Sequence, residues 1–384
     1  MTLEQFEDIR SYTDEEIPAA MDYFINNETS LSLARLVLPG KSDDEIKDLL
    51  KSIKTTDEFQ RIMMTRFVKL ITSTTMKGVD TQGFNTLDKN KPYLFTGNHR
   101  DITLDAFILQ MYMLENGLKT CNIAYGSNLI LNKTIDVFGK SNKMFKVERS
   151  QNVRELAQNS QHLSDYIRFL IRENKSVWIA QRNGRTKDGN DKTDHGLISM
   201  FMMSGDRAHL VPNLVELNIT PIATSYEYEP CAMMKARESY LKERDGVYVK
   251  KPMEDMDSIV SGIRKKKGTM NIAICPTITY DDLKQYEGAD KHEIVKAVSD
   301  MIDERIYANY RLYPNNYIAY DWLSGTSTFK KNYTQEDKDV FKAYCDKIFS
   351  KLYEELGSEA EPRFTEILLG IYAIPVKNKF FTTK

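Results

Sequence analysis

The spacing of apolar residues divides this chain into three stretches. Up to about residue 90 they recur at helical intervals, as in TTDEFQRIMMTRFVKLITSTTM, where Phe59, Ile62, Met63, Phe67 and Ile71 share a face. DEEIPAAMDYFIN carries an acidic first turn with Pro18 near its start, and DDEIKDLLKSI follows Ser42 as a cap. The run Leu36-Val37-Leu38-Pro39-Gly40 marks a turn between them. These features predict an N-terminal helical bundle over 1–90, with the polar, irregular stretch 78–92 as its boundary.

From residue 93 the period shortens. Strand-like runs at 93–96, 121–125, 144–148, 176–181, 220–228 and 271–275 alternate with helical patterns such as NVRELAQNSQHLSDYIRFLIREN and HGLISMFMMSGDRAH. That alternation predicts an α/β domain over 91–283, a central sheet covered by helices. Strand order does not follow from it. Helical spacing then returns in DKHEIVKAVSDMIDERIYANYRL and in QEDKDVFKAYCDKIFSKLYEELG, which Gly357 stops. Residues 284–384 therefore read as a C-terminal helical extension. It contains the aromatic-dense YPNNYIAYDWL and ends in a basic, apolar tail, IYAIPVKNKFFTTK.

Composition narrows the function more than the fold. The 53 basic residues are balanced by 55 acidic ones, a net charge of -2, which argues against a nucleic-acid partner. Cys121, Cys231, Cys275 and Cys345 lack metal or redox spacing, so buried thiols in a reducing compartment are expected. The start, MTLEQFEDIR, has no signal-peptide core, and no run approaches the roughly 18 apolar residues of a bilayer span. The expectation is a cytoplasmic protein that at most rests on a membrane.

The candidate chemistry begins at YLFTGNHRDITLDAF, residues 93–107. A buried strand is broken by Gly97-Asn98, and His99, Arg100 and Asp101 precede a helix with Leu104, Phe107, Ile108 and Met111 on one face. A histidine between a strand end and a helix start, with carboxylates close by, suits a general base and its orienting partner. The triplet HRD also occurs in protein-kinase catalytic loops, but Ala106 stands where their Asn belongs, and no Gly-rich loop or Asp-Phe-Gly is present.

FTGNHRDITLD resembles the first motif of the glycerolipid acyltransferases, in which Asn-His is followed by four residues and an Asp. Counted that way the Asp would fall on Leu104, so either Asp105 or Asp101 takes its role. Asp105, inside the helix, is the favoured partner, while Asp101 suits the cap better. Three further blocks follow in the family's order. KMFKVERS resembles its strand-then-Arg block, placing Arg149 at a strand end with Arg154 nearby; paired to Glu148 or Glu155, Arg149 would instead be an ordinary surface arginine. VWIAQRNGRTKDGNDKTD resembles its third motif, with Asn183 where a carboxylate is usual, then Gly184, Arg185, Thr186 and Lys187. With Arg182, Lys192 and a second glycine, Gly189, this loop makes a plausible anion cradle. ELNITPIATSYEYEP resembles the last motif, an apolar strand entered through Pro221, which would shape a pocket wall.

The resemblance spans residues 93 to about 279 and implies a mixed sheet covered by helices. The helical start is similar to soluble plastid-type glycerol-3-phosphate acyltransferases, and NHRDI…LD with YPNNYIAYD is similar to a bacterial branch labelled lysophosphatidate acyltransferase. The implied reaction moves a fatty acyl group from acyl-CoA or acyl carrier protein to a glycerol-phosphate hydroxyl. His99 is then the base, Asp105 or Asp101 its partner, and Arg149, Arg185 and Lys187 the acceptor's phosphate ligands. No metal or bound cofactor is implied. A membrane contact would come from Arg264-Lys265-Lys266-Lys267 or from the tail 377–384, with Phe380 and Phe381; as solvated charge runs they would make none. Two readings compete: a lipid- or acyl-carrier-binding protein that has lost catalysis, and a phosphate-ester hydrolase placing a metal on Asp101 and Asp105.

Overall fold

The computed structural model describes residues 1–150 and 152–382. Lys384, the last cation of the basic tail, lies outside the described residues. The strands are β1 (Met76–Gln82), β2 (Leu94–Gly97), β3 (Asn122–Gly126), β4 (Met144–Val147), β5 (Val177–Ala180), β6 (Ile219–Tyr226) and β7 (Gly268–Ile274). They form one mixed sheet in the order β1-β7-β6-β2-β5-β3-β4. β6, β2, β5, β3 and β4 run parallel, and β7 turns antiparallel to β6 and parallel to β1. The C-terminal ends of β2, β3, β4, β5 and β6 thus share one edge, where parallel α/β sheets place their ligands.

β1 is a strand that the apolar pattern conceals. Its sequence, MKGVDTQ, is mostly exposed, because an edge strand needs no apolar face to pair with β7. The six other strands fall on the six runs marked by hydrophobicity.

Helices cover the sheet in three groups. Before β2 come α1 (Ile17–Ile25), α2 (Glu28–Val37), α3 (Asp43–Ser52), α4 (Thr56–Phe59) and α5 (Thr65–Thr75). Together with α6 (Leu104–Glu115) and α7 (Lys133–Ser141) they pack on one sheet face, in a cluster that joins Phe24, Leu50 and Phe59 to Phe95 and Ile123. The opposite face carries α8 (Val153–Arg172), α9 (His195–Phe201) and α10 (Leu210–Val215). Next in the chain are α11 (Ala232–Asp245), α12 (Glu254–Arg264), α13 (Tyr280–Leu283) and α14 (Lys291–Asn309), of which α14 completes that second layer. Leu94 and Phe95 point into opposite layers, as pleating requires, and each buried side chain of this size stabilises by about 1.5–3 kcal/mol.

The third group is α15 (Pro314–Ser324), α16 (Gln335–Leu356) and α17 (Glu361–Phe381), which enclose a separate apolar cluster with α11. The tail is part of α17, docked through its end: Phe381 stacks on Tyr320 and Phe380 meets Phe329, with ring centroids 5.5 and 5.3 Å apart. No helix among the described residues is long and apolar enough to cross a membrane.

Candidate active site

β2 ends at Gly97, and the next residue carries its pairing beyond the strand. The Asn98 amide donates to the Thr224 carbonyl and to Asp191, each at 2.9 Å, while its oxygen accepts the Thr224 N–H at 2.7 Å. With Asn98 clamped, His99 emerges at the C-terminal edge, its side chain 13% exposed and its ring edge-on to Trp178 at 5.9 Å. Nδ1 lies 3.1 Å from Asp105 Oδ2, which leaves Nε2 as the nitrogen available for proton transfer.

Asp105 is buried in the first turn of α6, where the helix dipole favours a negative charge. Its Oδ2 also accepts the N–H groups of Arg100 and Asp101 at 2.7 and 2.8 Å, and its Oδ1 accepts the Tyr226 hydroxyl at 2.9 Å. Burial, then the Asp105 and Asp101 charges, push the Tyr226 phenol well up, so it stays a donor. Asp101 has different partners: Oδ1 receives the Thr103 and Leu104 N–H groups at 3.0 and 2.9 Å and so caps α6.

The loop after β5 runs directly beside the histidine, because the Thr186 N–H donates to the His99 carbonyl at 3.0 Å. Arg185 is buried there, and its Nη1 has no protein partner among the described residues. Gly184 adopts φ +74°, a left-handed turn that glycine makes without strain. Lys187 pairs with Glu238, yet burial, followed by the Arg185 charge, pushes its ammonium down to about 8. Asn183 is exposed. Arg182 turns inward along its own loop and donates to the Asn190 carbonyl at 3.1 Å.

Arg149 follows β4 and is exposed. Neither competing carboxylate holds it: Lys146 pairs with Glu148 at 2.6 Å, and Ser150 donates to Glu155 at 2.7 Å. Its Nε and Nη2 sit 3.1 Å from where a side chain on Gly126 would begin, so the absent Cβ makes room for the guanidinium. Asn128, beside the same glycine, donates to Asp255 at 3.1 Å. Burial disfavours the Asp255 charge, but Lys250, Arg185 and Asn128 outweigh it and hold that carboxyl below its usual range. A continuous polar rim therefore runs from Arg149 through Asn128 and Asp255 toward Arg185.

Pro221 is a buried β6 residue opposite Thr96, its carbonyl accepting the Cys275 N–H at 2.9 Å. Lys267 belongs to no basic surface patch, being 1% exposed and donating to Thr75 Oγ1 and the Lys265 carbonyl at 2.9 and 2.6 Å. The N-terminal helices wall an apolar cavity of about 340 Å³. Phe24, Val37 and Phe67 line it from α1, α2 and α5, Phe138 from α7 and Ile263 from α12. Its inner end reaches Ile102 and Thr103, next to the histidine loop.

A buried ionic cluster beneath His99 has no sequence signature beyond the placing of Arg100. Arg100 reaches Asp191 at 2.5 Å and Glu229 at 3.1 Å, and Lys235 donates to Glu229 at 2.5 Å and to the Arg100 carbonyl at 2.7 Å. Tyr310 also donates to Asp191, at 2.6 Å. Two cations against two anions leave the group neutral, as such depth demands.

The acyltransferase family model matches residues 78–224. Among solved structures, the 1-acyl-sn-glycerophosphate (LPA) acyltransferase PlsC from Thermotoga maritima is similar, with a TM-score of 0.39 and 9% identity over 77% of this chain and 98% of that one. No curated protein matches this chain.

Proposed function

We propose that this chain, whose residues 78–224 match the acyltransferase family model, moves a fatty acyl group from a thioester to a glycerol-phosphate hydroxyl. The donor is acyl-CoA or acyl carrier protein, and the acceptor glycerol-3-phosphate or its 1-acyl derivative. The observation carrying this reading is that one loop contact sets the His99–Asp105 pair against the Arg185 loop, joining a base to an anion site.

His99 Nε2 takes the acceptor hydroxyl's proton as the oxygen attacks the thioester carbonyl. The tetrahedral intermediate then collapses, the C–S bond breaks, and the imidazolium returns the proton to the departing thiolate. Asp105 keeps the Nδ1–H tautomer and stabilises the imidazolium, fixed itself by two N–H groups and Tyr226. Such a base contributes about 10²–10⁴-fold. Arg185, Arg149 and Lys187 grip the acceptor phosphate, and the acyl chain lies in the apolar cavity. Neither a metal nor a bound cofactor enters the scheme.

Lipid substrates call for a membrane surface. Leu33, Leu36 and Val260 line the cavity and are also exposed, with Leu131 and Met253 exposed close by and Lys250 and Lys251 among them. This rim suits a cytoplasmic enzyme resting on the inner face of the cytoplasmic membrane better than the tail, whose half-exposed phenylalanines pack on aromatic rings and do not line the cavity. Liposome flotation of Leu36→Asp/Met253→Asp against wild type tests it, and equal flotation removes this face from consideration.

The function itself is tested by thiol release from an acyl thioester with glycerol-3-phosphate or 1-acylglycerol-3-phosphate, wild type beside His99→Ala. Acceptor-dependent release lost in the variant is expected. Equal background rates would favour a binding protein without catalysis.

A further inference from the structure

Helix α17 contains a proline, and the loop carrying Arg185 and Lys187 rests on the carbonyl which that proline sets free. Pro375 sits inside the helix. Lacking an N–H, it cannot bond the carbonyl four residues earlier, that of Ile371. A Cβ built on Gly189 would lie 2.3 Å from this same Ile371 oxygen, so a Gly189 Cα–H points straight at it. Gly189 also has φ +84°, so glycine is required there twice over.

Other contacts make this a seat rather than a single touch. Asn378 donates to Asn190 Oδ1 at 3.3 Å. Lys379 donates to the Tyr310 carbonyl at 2.7 Å, and the Tyr310 hydroxyl holds Asp191. Tyr372 accepts the Glu229 N–H at 3.0 Å. The far side of residues 189–191 is thus fixed by α17, while Thr186 on the near side is fixed to His99.

We propose that α17 positions the basic loop, with Pro375, Ile371 and Gly189 as positioning residues that never touch substrate. The part of this proposal concerning the acceptor rests on the acyl-transfer reading above; the part concerning the loop does not. Pro375→Ala restores the missing N–H and draws the Ile371 carbonyl back into the helix. Gly189→Ala sets a methyl against the same carbonyl from the loop side. Gly370→Ala is the control, since a Cβ there meets nothing within 4 Å.

Two measurements decide. Hydrogen exchange of amides 186–190 is expected to quicken on the order of tenfold in Pro375→Ala and Gly189→Ala, with the melting temperature of Pro375→Ala within a few degrees of wild type. Acceptor KM is expected to rise on the order of tenfold, with donor KM unchanged, and Gly370→Ala should match wild type in both assays. Wild-type exchange at the loop in both variants overturns the proposal. Wild-type protein without turnover, but with the exchange pattern as expected, sinks the acyl-transfer reading and leaves the positioning of the loop intact. Should Pro375→Ala not fold, Gly189→Ala alone carries the decision.

Discussion

The Thr186 N–H donates to the carbonyl of His99 at 3.0 Å. One hydrogen bond between main chains thus joins the loop after β2, which ends on an imidazole, to the loop after β5, which carries Arg185 and Lys187. Side-chain substitution cannot delete that bond, so each side chain around it can be changed in turn while the two loops stay together.

Asp101 and Asp105 should separate cleanly. Asp105→Asn keeps the shape but loses the charge that stabilises an imidazolium, so the rate of acyl transfer should fall about 10²–10⁴-fold with little change in melting temperature. Asp101→Ala removes the cap of α6 and should cost about 0.5–2 kcal/mol of stability, with a much smaller loss of rate. Single-turnover rates and denaturant titrations of the two variants check this. A larger rate loss in Asp101→Ala than in Asp105→Asn would reverse the assignment.

Lys187 gives a pH signature with a definite sign. Its folded-state value, about 8, lies below the ordinary lysine value, so the folded protein favours the neutral amine. The resulting stability penalty is fully present below about pH 8 and is relieved as pH rises toward the unfolded value. For the proposed binding of the acceptor phosphate the direction is opposite: the Lys187 cation is lost as pH climbs through about 8. Acceptor KM should therefore rise between about pH 7 and 9, and Lys187→Arg, which keeps its charge, should flatten the profile. A wild-type KM independent of pH over that range would remove Lys187 from the anion site.

Much of this architecture was legible in the sequence, because local patterns report local forces. The six central strands bury apolar residues, so hydrophobicity marks them; β1 buries almost none and is held by main-chain pairing with β7, which no side chain announces. The first three motif blocks could be read because each follows directly on a strand, whose apolar run marks where it ends. Lys267 misled because residue type does not reveal which side of a solvent boundary a position occupies. The Arg100 cluster joins residues 91 and 129 positions apart in the chain, and the cavity draws its walls from eight helices, so neither has a local pattern. The basic, apolar composition of the tail does not announce that α17 runs through Pro375 to Phe381.

The buried ionic cluster should behave as a unit. Lys235→Met leaves Glu229 without its ammonium partner and gives the group an uncompensated negative charge, an expected cost of about 3–5 kcal/mol. Lys235→Met with Glu229→Gln restores neutrality and should recover a large part of that loss. A double-mutant cycle by urea unfolding measures the coupling. Additive effects of the two substitutions would mean that Arg100 and Asp191 hold the loop without the second pair.

The apolar cavity offers a test that leaves the reacting groups alone. About 340 Å³ holds on the order of ten water-sized or methylene-sized groups at about 30 Å³ each, so its volume sets how much of an acyl chain is enclosed. Ala34 is buried on α2 and lines the cavity. Ala34→Phe fills part of the space at an expected stability cost of about 1–3 kcal/mol from overpacking. Each methylene denied burial forfeits about 0.8 kcal/mol, so a chain shortened by only a few carbons should be favoured severalfold or more over the wild-type optimum. Competition among thioesters of graded length, read by lipid product, should show the preferred donor shifted to shorter chains, with kcat on a short donor kept. An unchanged length profile in a folded Ala34→Phe protein would mean that the acyl chain binds outside this cavity, leaving the N-terminal helices without their proposed role.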